Sequence, residues 1–456
     1  MIFRRDFTVG KRKAVMLFHP DFTDEMILRA AVRACTATKK SAATLEAVLT
    51  EIVTACEAQI VEDDKKATEK ILEGDAVIFL DGEKGFVEVA AKKWAMRTVT
   101  EPPTETVVRG PREGFIEDFE TNITLLEKRL RSPAFAVKKL KIGRSGNTLV
   151  GIAYIGGIAE KSLVAHVEAQ IQKLDIDAIC DSHYLVPLLE ENPRSIFPQV
   201  GTAEKPDVVA AKLLEGRVAV IVDGSPIVLT VPFFLIEDFH SPEDYYQRST
   251  FATFLRVLRL CALFLAIFLP GLYVAAMTYN YEIVPLKLLI TILNALKGIP
   301  LPPMWEILLV LFLFEIIREA SVRMPKSVST ATSIVGALVL GETAVKAGII
   351  SSPGVLIIAV SSLALYVVPA LVGTASLLRM LFTVIGGLGG LYGLTLGTAM
   401  LVFYLCSLSS GGSPYLAPFA PFIRGDLKDG AVKVPLAKMI ERPKSVGSPN
   451  KRRMKA

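Results

Sequence analysis

Long runs without a charged residue dominate the second half of the sequence. Residues 260–281, 347–378 and 380–423 form uncharged runs of 22, 32 and 44 residues. A soluble fold rarely buries such runs, whereas a helix that crosses a bilayer requires about 20 mostly apolar residues. The sequence therefore predicts that the region from Arg256 to Leu408 belongs to a polytopic membrane domain.

The first 246 residues have the alternating strand and helix patterns of a soluble α/β protein. The Pro-Pro pair at 102–103 breaks both helix and sheet, and so predicts a boundary between two lobes. The predicted fold class is mixed: a two-lobed α/β cytoplasmic domain followed by an all-α polytopic membrane domain. The predicted divisions are a first α/β subdomain at 1–100, a second with the junction at 101–246, a membrane domain of about five to six helical segments at 247–410, and a basic, disordered C-terminal tail at 411–456.

The basic charge of the chain is concentrated in this tail. The 456 residues carry a formal net charge of +5, whereas residues 424–456 contain ten Lys or Arg and three Asp or Glu, a balance of +7 that leaves −2 for the remainder. Such a tail suits anionic lipid headgroups or an acidic partner. Nucleic-acid binding is not predicted, because no basic stretch carries interleaved aromatic residues.

No sequence pattern predicts an enzyme, a metal site or a cofactor. The Walker, GxSxG and HExxH motifs are absent, and the four histidines are dispersed. The glycine-rich stretch at 151–157 lacks a phosphate-loop lysine and predicts a strand-to-helix turn. The five cysteines have no CxxC spacing and are interpreted as reduced thiols, which fits a cytoplasmic location.

The segment before the membrane half is a candidate coupling junction. An Asp-Gly pair fixes a turn, acidic residues keep the segment in water, and two tyrosines suit the headgroup level of a bilayer. One interpretation is an acidic linker with interfacial tyrosines, and the other is an element that transmits motion between the lobes and the membrane helices. The residues are Asp223, Gly224, Glu243, Asp244, Tyr245 and Tyr246.

Several short motifs around this junction resemble the A-subunit family of spore germinant receptors, whose paralogues include the stage V sporulation AF protein. Lys205 stands where family members often have Arg. The motifs are Phe197-Pro-Gln, Lys205-Pro-Asp, Leu214-Glu-Gly-Arg217, Val222-Asp-Gly224, Pro242-Glu-Asp-Tyr-Tyr246 and, in the membrane half, the run 333–341. The resemblance implies a permease-like B subunit that binds the nutrient, a C-subunit lipoprotein, and a self-associated ring of A subunits whose membrane helices conduct ions.

Two groups of polar residues in the membrane half are candidate functional residues. Polar and small residues at 327–345 either line a water-filled pore, with valines as an apolar constriction, or pack against another helix. The predicted pore-lining residues are Ser329, Thr332, Ser333, Val335, Gly336 and Val339. Ionisable residues at membrane depth predict function, although these ones could also lie at the interface. They are Glu315, Arg318, Glu319, Arg323 and Glu342.

Gly389, Gly393 and Gly397 repeat every four residues and predict a face that packs closely against another helix.

Arginines before the first span favour a cytoplasmic N-terminal domain by the positive-inside rule. Five crossings would put the basic tail outside, and counting 286–296 as a sixth would put it inside. The length and charge of the tail favour the cytoplasmic side.

The predicted function is that of the A subunit of a nutrient-germinant receptor in the spore inner membrane, forming a gated ion-release channel. The alternatives are a non-conducting scaffold that docks the B and C subunits, and the sporulation AF paralogue.

Overall fold

The computed structural model describes residues 2–20, 22–37, 44–53, 56–63, 66–93, 98–102, 104–325, 328 and 339–454. The chain divides into two compact units, Met1–Arg97 and Thr98–Ala456. The second unit therefore unites the predicted second lobe, the apolar helices and the C-terminal tail.

The first unit is built around a five-stranded antiparallel sheet with the strand order β1-β2-β4-β5-β3. Alternate apolar residues of the strands, such as Met16 and Ile78, are buried with Leu28 and Val48 of the helices. The strands are β1 (Phe3–Val9), β2 (Arg12–Phe18), β3 (Ala58–Val61), β4 (Ala76–Leu80) and β5 (Phe86–Val89), and the helices are α1 (Glu25–Ala37), α2 (Leu45–Val53) and α3 (Ala67–Leu72).

The second unit begins with a sheet of the order β6-β7-β9-β10-β8, again antiparallel throughout. Strand β9 is buried along its whole length because helices cover both faces of the sheet. The strands are β6 (Phe135–Ile142), β7 (Thr148–Ile155), β8 (Gly201–Ala203), β9 (Val218–Val222) and β10 (Val228–Val231), and the helices are α4 (Phe119–Leu130), α5 (Lys161–Gln172), α6 (Val186–Leu189) and α7 (Pro206–Glu215).

The two sheets share one topology, and their sequences correspond. In each, the fourth and fifth strands form a hairpin between the second strand and the third. At a constant offset of 142 positions, residues 67–82 and 209–224 share six identities, including Leu-Glu-Gly at the helix end and Asp-Gly at the hairpin turn. The contacts correspond too: Lys70 lies 3.1 Å from Glu88, and Lys212 lies 3.2 Å from Thr230. The two α/β domains are therefore an internal repeat.

The described part of the chain between the second sheet and the tail is helical. Two helical segments, Ser249–Thr278 and Pro369–Ser407, could cross a membrane by length and composition. A π-helical turn, Val339–Thr343, precedes the shortest helix. The helices are α8 (Ser249–Thr278), α9 (Leu286–Leu296), α10 (Pro303–Arg323), α11 (Ala344–Lys346), α12 (Ser352–Leu365) and α13 (Val372–Ser407).

Helix α13 folds back at Gly390, whose φ of 58° and ψ of −147° are accessible essentially only to glycine. Before this break Thr374 Oγ1 donates to Ile196 O, and after the helix Ser410 Oγ donates to Gln199 O. A straight helix of 36 residues would separate its ends by about 54 Å. Contacts of both ends with 196–199 therefore require two antiparallel arms, 372–389 and 391–407.

We call the two ends of the helices of the second unit proximal and distal. The proximal end lies next to the α/β domain of the same unit, and the distal end lies at the Gly390 turn. Helix α8 starts beside the α/β domain and ends where Asn280 Oδ1 accepts from Leu391 N at 3.3 Å. Met304 packs against Gly387 near the same turn. Helix α10 therefore begins at the distal end.

The tail, predicted to be disordered, instead packs against the α/β domain of its own unit. Leu235 N donates to Tyr415 O at 3.1 Å, and the Tyr415 side chain is buried. Arg442 Nε donates to Leu214 O at 2.6 Å. Basic side chains of the tail are thus used as donors to backbone carbonyl groups, a role that charge and proline content do not predict. The tail and the α/β domain lie at the same, proximal end of the helices.

The predicted glycine face is only partly correct. A Cβ atom at Gly389 would meet nothing within 4 Å, whereas Gly393 and Gly397 lie against Ile385 of the first arm of α13. The break at Gly390 changes the helical phase, so residues four apart across it do not share a face. A close approach of two helix backbones occurs instead between Gly271 and Gly386, where a Cβ atom at Gly386 would lie 2.5 Å from Gly271 O.

We expect Gly386→Ala to destabilise the helical part by about 1–3 kcal/mol, because the added methyl group would overpack the crossing of α8 and α13. Thermal unfolding of the purified full-length chain in detergent, followed by circular dichroism, measures the change. Gly389→Ala is the matched control and should leave the midpoint unchanged. Equal midpoints for both variants would contradict the close approach.

Candidate functional site

A buried ion network joins the α/β domain to the first long helix. Asp244 lies in the 3₁₀ turn Pro242–Tyr246 just before α8 and is completely buried. Its carboxylate accepts from Arg259 at 2.7 and 3.1 Å and from Arg256 Nε at 3.2 Å. Burial alone would raise the pKa of Asp244, but the hydrogen bonds from Arg259 and Ser241 and the charge of Arg256 lower it. One carboxylate thus holds two arginines of α8.

The C-terminal tail completes the network. Arg256 is fully buried, and its Nη1 donates to Asp429 Oδ1 at 2.9 Å and to Gly430 O at 2.8 Å. Lys433 is also buried, and its ammonium group donates to Asp244 O. Three parts of the chain therefore meet: the junction, the start of α8 and the tail.

The two junction tyrosines make protein contacts. Arg256 and Lys433 lie over the Tyr245 ring, 5.5 and 5.1 Å from its centre. Tyr245 donates to Asp429 Oδ2 at 3.0 Å, and Tyr246 donates to Asp207 Oδ2 at 2.7 Å. The tyrosines therefore tie the junction to the tail and to helix α7.

The other predicted junction residues lie in two places. Glu243 accepts from the backbone N–H groups of Val108 and Arg109 at 2.7 and 2.9 Å. Asp223 and Gly224 form the β9–β10 turn, where Gly224 N donates to Glu117 O. This turn is at the opposite end of the hairpin from the junction, about 17 Å along a strand of five residues. Asp223 and Gly224 are therefore not part of the network.

A second charged cluster lies where the chain leaves β10. Arg217 Nη1 bonds to Glu237 and donates to Pro232 O at 2.9 Å. Lys212 Nζ lies 3.1 Å from the other Glu237 oxygen. Although burial opposes ionisation, Arg217 and Lys212 lower the pKa of Glu237 to about 2. The ionised carboxylate of Glu237 thus fixes the chain where it leaves β10.

His240 lies between the two clusters and is neutral at physiological pH. Burial and the positive charge of Arg256 lower its pKa to about 4, against the opposing charges of Asp429 and Glu237. Its Nε2 lies 3.2 Å from Gly430 O. The neutral ring can therefore donate to the same tail carbonyl that Arg256 uses.

A third ionic cluster lies among the helices. Glu315 of α10 contacts Arg379 of α13 and Arg318 at 2.5 Å each, and it also accepts from Ser376. A cavity of about 520 Å³ lies beside this cluster and is also lined by Ile196. The Glu319–Arg323 and Glu342–Lys346 pairs, in contrast, are exposed.

Most of the predicted pore residues lie outside the described part of the chain. These are Ser329, Thr332, Ser333, Val335 and Gly336. For Val339 the backbone belongs to the π-helical turn, and its side chain lies outside the described part. The pore hypothesis for 329–339 therefore stays a prediction.

Residues that the sequence analysis did not assign to a site complete the network: Arg256, Arg259, Asp429 and Lys433. An arginine inside an apolar helix was the available signal, because such a charge must find an anion. Its tail partner is 173 positions away and has no sequence signal. Among the described residues, no group of three or more His, Cys, Asp or Glu side chains could hold a metal ion.

Comparisons with known proteins place the chain in one protein family. The sequence profile described as "Bacillus/Clostridium GerA spore germination protein" matches residues 1–445. Spore germination protein KA of Bacillus subtilis (strain 168) is 41% identical over 390 residues, which cover 85% of this chain and 72% of that protein. Spore germination protein A1 of the same organism is 36% identical over 397 residues, covering 86% and 82%.

Two further similarities were found. The uncharacterized membrane protein YfkQ of Bacillus subtilis (strain 168) is 38% identical over 380 residues, covering 83% of this chain and 74% of that protein. The crystal structure of the N-terminal domain of the A subunit of the Bacillus megaterium spore germinant receptor GerK3 aligns with a TM-score of 0.23 and 26% identity, covering 50% of this chain and 87% of that one.

We expect Asp244→Asn to destabilise the second unit by about 3–5 kcal/mol, because it leaves two arginine charges, one of them fully buried, without their shared carboxylate. Unfolding of the purified chain in detergent tests this. Asp175→Asn, which breaks an exposed pair with Arg144, is the control and should cost no more than about 1 kcal/mol. A similar cost for both would exclude a strongly coupled network.

Stability should fall on acidification through His240. The unfolded chain takes up a proton near the ordinary pKa of 6.5 and the folded chain only near 4, so stability is present above pH 6.5 and is lost as the pH falls towards 4. The loss is at most about 3 kcal/mol, at roughly 1.4 kcal/mol for each pH unit. Unfolding of the wild type and of His240→Gln across this range measures it. The variant should show the weaker pH dependence, and identical slopes would contradict a buried neutral histidine.

Proposed function

Because the chain belongs to the Bacillus/Clostridium GerA spore germination protein family, we propose that it is the A subunit of a nutrient-germinant receptor complex. Its role in spore germination follows from the family. The complex would also contain a permease-like B subunit that binds the nutrient and a C-subunit lipoprotein.

The proposed location is the spore inner membrane, which the chain crosses several times. Two long apolar helical segments support this, as do the arms 372–389 and 391–407, each about 26 Å long. The α/β domains and the tail would be cytoplasmic. Arginines at the proximal end, such as Arg248, Arg259 and Arg323, support that orientation by the positive-inside rule.

The observation that carries the proposal is the buried contact of Asp244 with Arg256 and Arg259. A rigid ionic joint lets a displacement of the α/β domain reach α8 without being lost in a flexible linker. The chain would thus act by conformational change and not as an enzyme. Nutrient binding on the B subunit would shift the equilibrium between closed and open states by its differential affinity for them.

In this proposal several A subunits form a ring, and residues 329–339 of each subunit line its pore. Serine and threonine residues there would face water, and Val335 would form an apolar constriction that closes by dewetting. The basic tail, at the proximal end, would meet anionic lipid headgroups. The second candidate is a non-conducting scaffold for the B and C subunits, or the sporulation AF paralogue that amplifies ion release.

We expect Val335→Ala to cause ion release from spores without nutrient, because a smaller side chain widens the constriction. Ser333→Cys should behave normally until a thiol reagent is added and then lose nutrient-triggered release. Ion release from spores and single-channel currents measure both effects. The cysteine experiment requires replacement of Cys180, Cys261 and Cys406 by serine, since all three are exposed.

Val402→Ala is the matched control, because Val402 is exposed on the second arm of α13. It should leave gating unchanged. The contrary outcome is that Val335→Ala forms normal complexes without an ion leak and that a thiol reagent does not block ion release in Ser333→Cys. These two results together would show that the pore does not lie in 329–339, and they would favour the scaffold.

A further inference from the structure

The last uncharged run of the sequence extends beyond its helix. The run covers residues 380–423, whereas α13 ends at Ser407. Residues 408–423 are therefore uncharged although they lie outside α13, and a membrane crossing does not account for them. Tyr415, in the middle of this segment, is buried, and its N–H group donates to Leu408 O at 3.0 Å. The segment thus turns back onto the end of α13.

A compact turn with two exposed phenylalanines follows Tyr415, and we call residues 416–423 the aromatic turn. Phe419 and Phe422 are 43% and 70% exposed. The N–H groups of Phe419 and Ile423 donate to carbonyl groups within the turn at 3.0 and 2.9 Å. The two prolines of the turn have no N–H group. The turn therefore presents two large apolar side chains on a backbone that has few free donors for water.

The aromatic turn lies at the level where α8 would enter a bilayer. A Cβ atom at Gly430 would lie 3.9 Å from Pro418 Cγ, and Gly430 O accepts from Arg256 Nη1 at 2.8 Å. Arg256 is four positions before Leu260, where the uncharged run 260–281 begins, or about 6 Å along the helix. The turn is therefore next to the proximal ends of both α8 and α13.

Two basic residues follow the aromatic turn directly. Arg424 and Lys428 are exposed, and within the described part of the chain neither forms an ion pair. The neighbouring carboxylates are already used. Asp426 accepts from two backbone N–H groups of the tail at 2.9 and 2.8 Å, and Asp429 pairs with Arg256. The charge available to a partner at this place is thus positive.

We propose that the aromatic turn is a membrane anchor: Phe419 and Phe422 insert into the interface of the leaflet at the proximal end, and Arg424 and Lys428 bind phosphate groups of anionic lipids. Apolar side chains beside basic ones are the combination by which peripheral segments bind anionic bilayers. The inference rests on the proposed placement of the helices in a bilayer.

The backbone and the charge of this region suit the surface of a bilayer and not its core. Lipid-exposed backbone that is not helical is excluded from the hydrocarbon core, so the aromatic turn would stay at the depth of the headgroups and the first acyl carbons. A protein partner would need acidic side chains opposite Arg424 and Lys428. Lipid phosphates, in contrast, lie at this level as soon as α8 and α13 span the bilayer.

Tryptophan fluorescence of the full-length chain in vesicles of phosphatidylcholine and phosphatidylglycerol tests the proposal. Trp94 and Trp305 are replaced by phenylalanine, and Phe422→Trp then supplies a single probe. Its emission should be blue-shifted. Lipids brominated near the headgroup should quench most of it, and lipids brominated near the chain end should quench less. Phe419→Trp is a second probe and should behave in the same way.

Two control probes fix the interpretation. Tyr184→Trp, at a position 55% exposed on the α/β domain, should keep the emission of a water-exposed indole and resist both brominated lipids. Met400→Trp, at a position 66% exposed in the second arm of α13, should be quenched more by the deep bromine. Quenching of Met400→Trp without quenching of Phe422→Trp or Phe419→Trp would overturn the anchor alone. Absence of quenching at all three positions would overturn the placement in a bilayer and the anchor with it.

The remaining arms separate lipid from protein and test the basic residues. A Phe422→Trp probe that resists bromine and is also shielded from aqueous acrylamide would assign the turn to a protein contact and overturn the proposal. Vesicles without phosphatidylglycerol should weaken the shallow quenching, and Arg424→Gln with Lys428→Gln should abolish this dependence on lipid charge. Quenching that is independent of phosphatidylglycerol would overturn the role of the two basic residues.

Discussion

The structure of the second unit depends on the need of Arg256 for an anion. This arginine lies within an apolar helix and is completely buried, where an uncompensated charge would cost several kcal/mol. Asp244 and Asp429 satisfy it from two directions. The junction must therefore turn under the start of α8, and the tail must return to the same place. Three segments that are far apart in the sequence are fixed by one side chain.

The sequence was sufficient for the broad division of the chain. Uncharged runs longer than a soluble fold can bury predicted the helical second half, and the motifs around Tyr246 predicted the family, which the comparisons confirm. The internal repeat was also accessible, since Leu-Glu-Gly and Asp-Gly recur at one offset before and within equivalent hairpins.

The rest depended on contacts that no local pattern encodes. Pairing of Arg256 with Asp429 closes a loop of 173 residues, and the basic composition of the tail suggested lipid and disorder rather than donors to backbone carbonyl groups. The four-residue glycine spacing predicted a continuous helix face, but the conformation of Gly390 interrupts that face.

The return of the tail to Arg256 has a consequence for biosynthesis. Asp429 leaves the ribosome 173 residues after Arg256, which at about 5–20 residues per second is about 9–35 s later. During this interval the intervening helices are synthesised while the arginine is already in place. Asp244, twelve positions before Arg256, is available from the start. The local carboxylate can thus compensate the arginine charge from the start, whereas the tail can join only after the intervening helices have been synthesised.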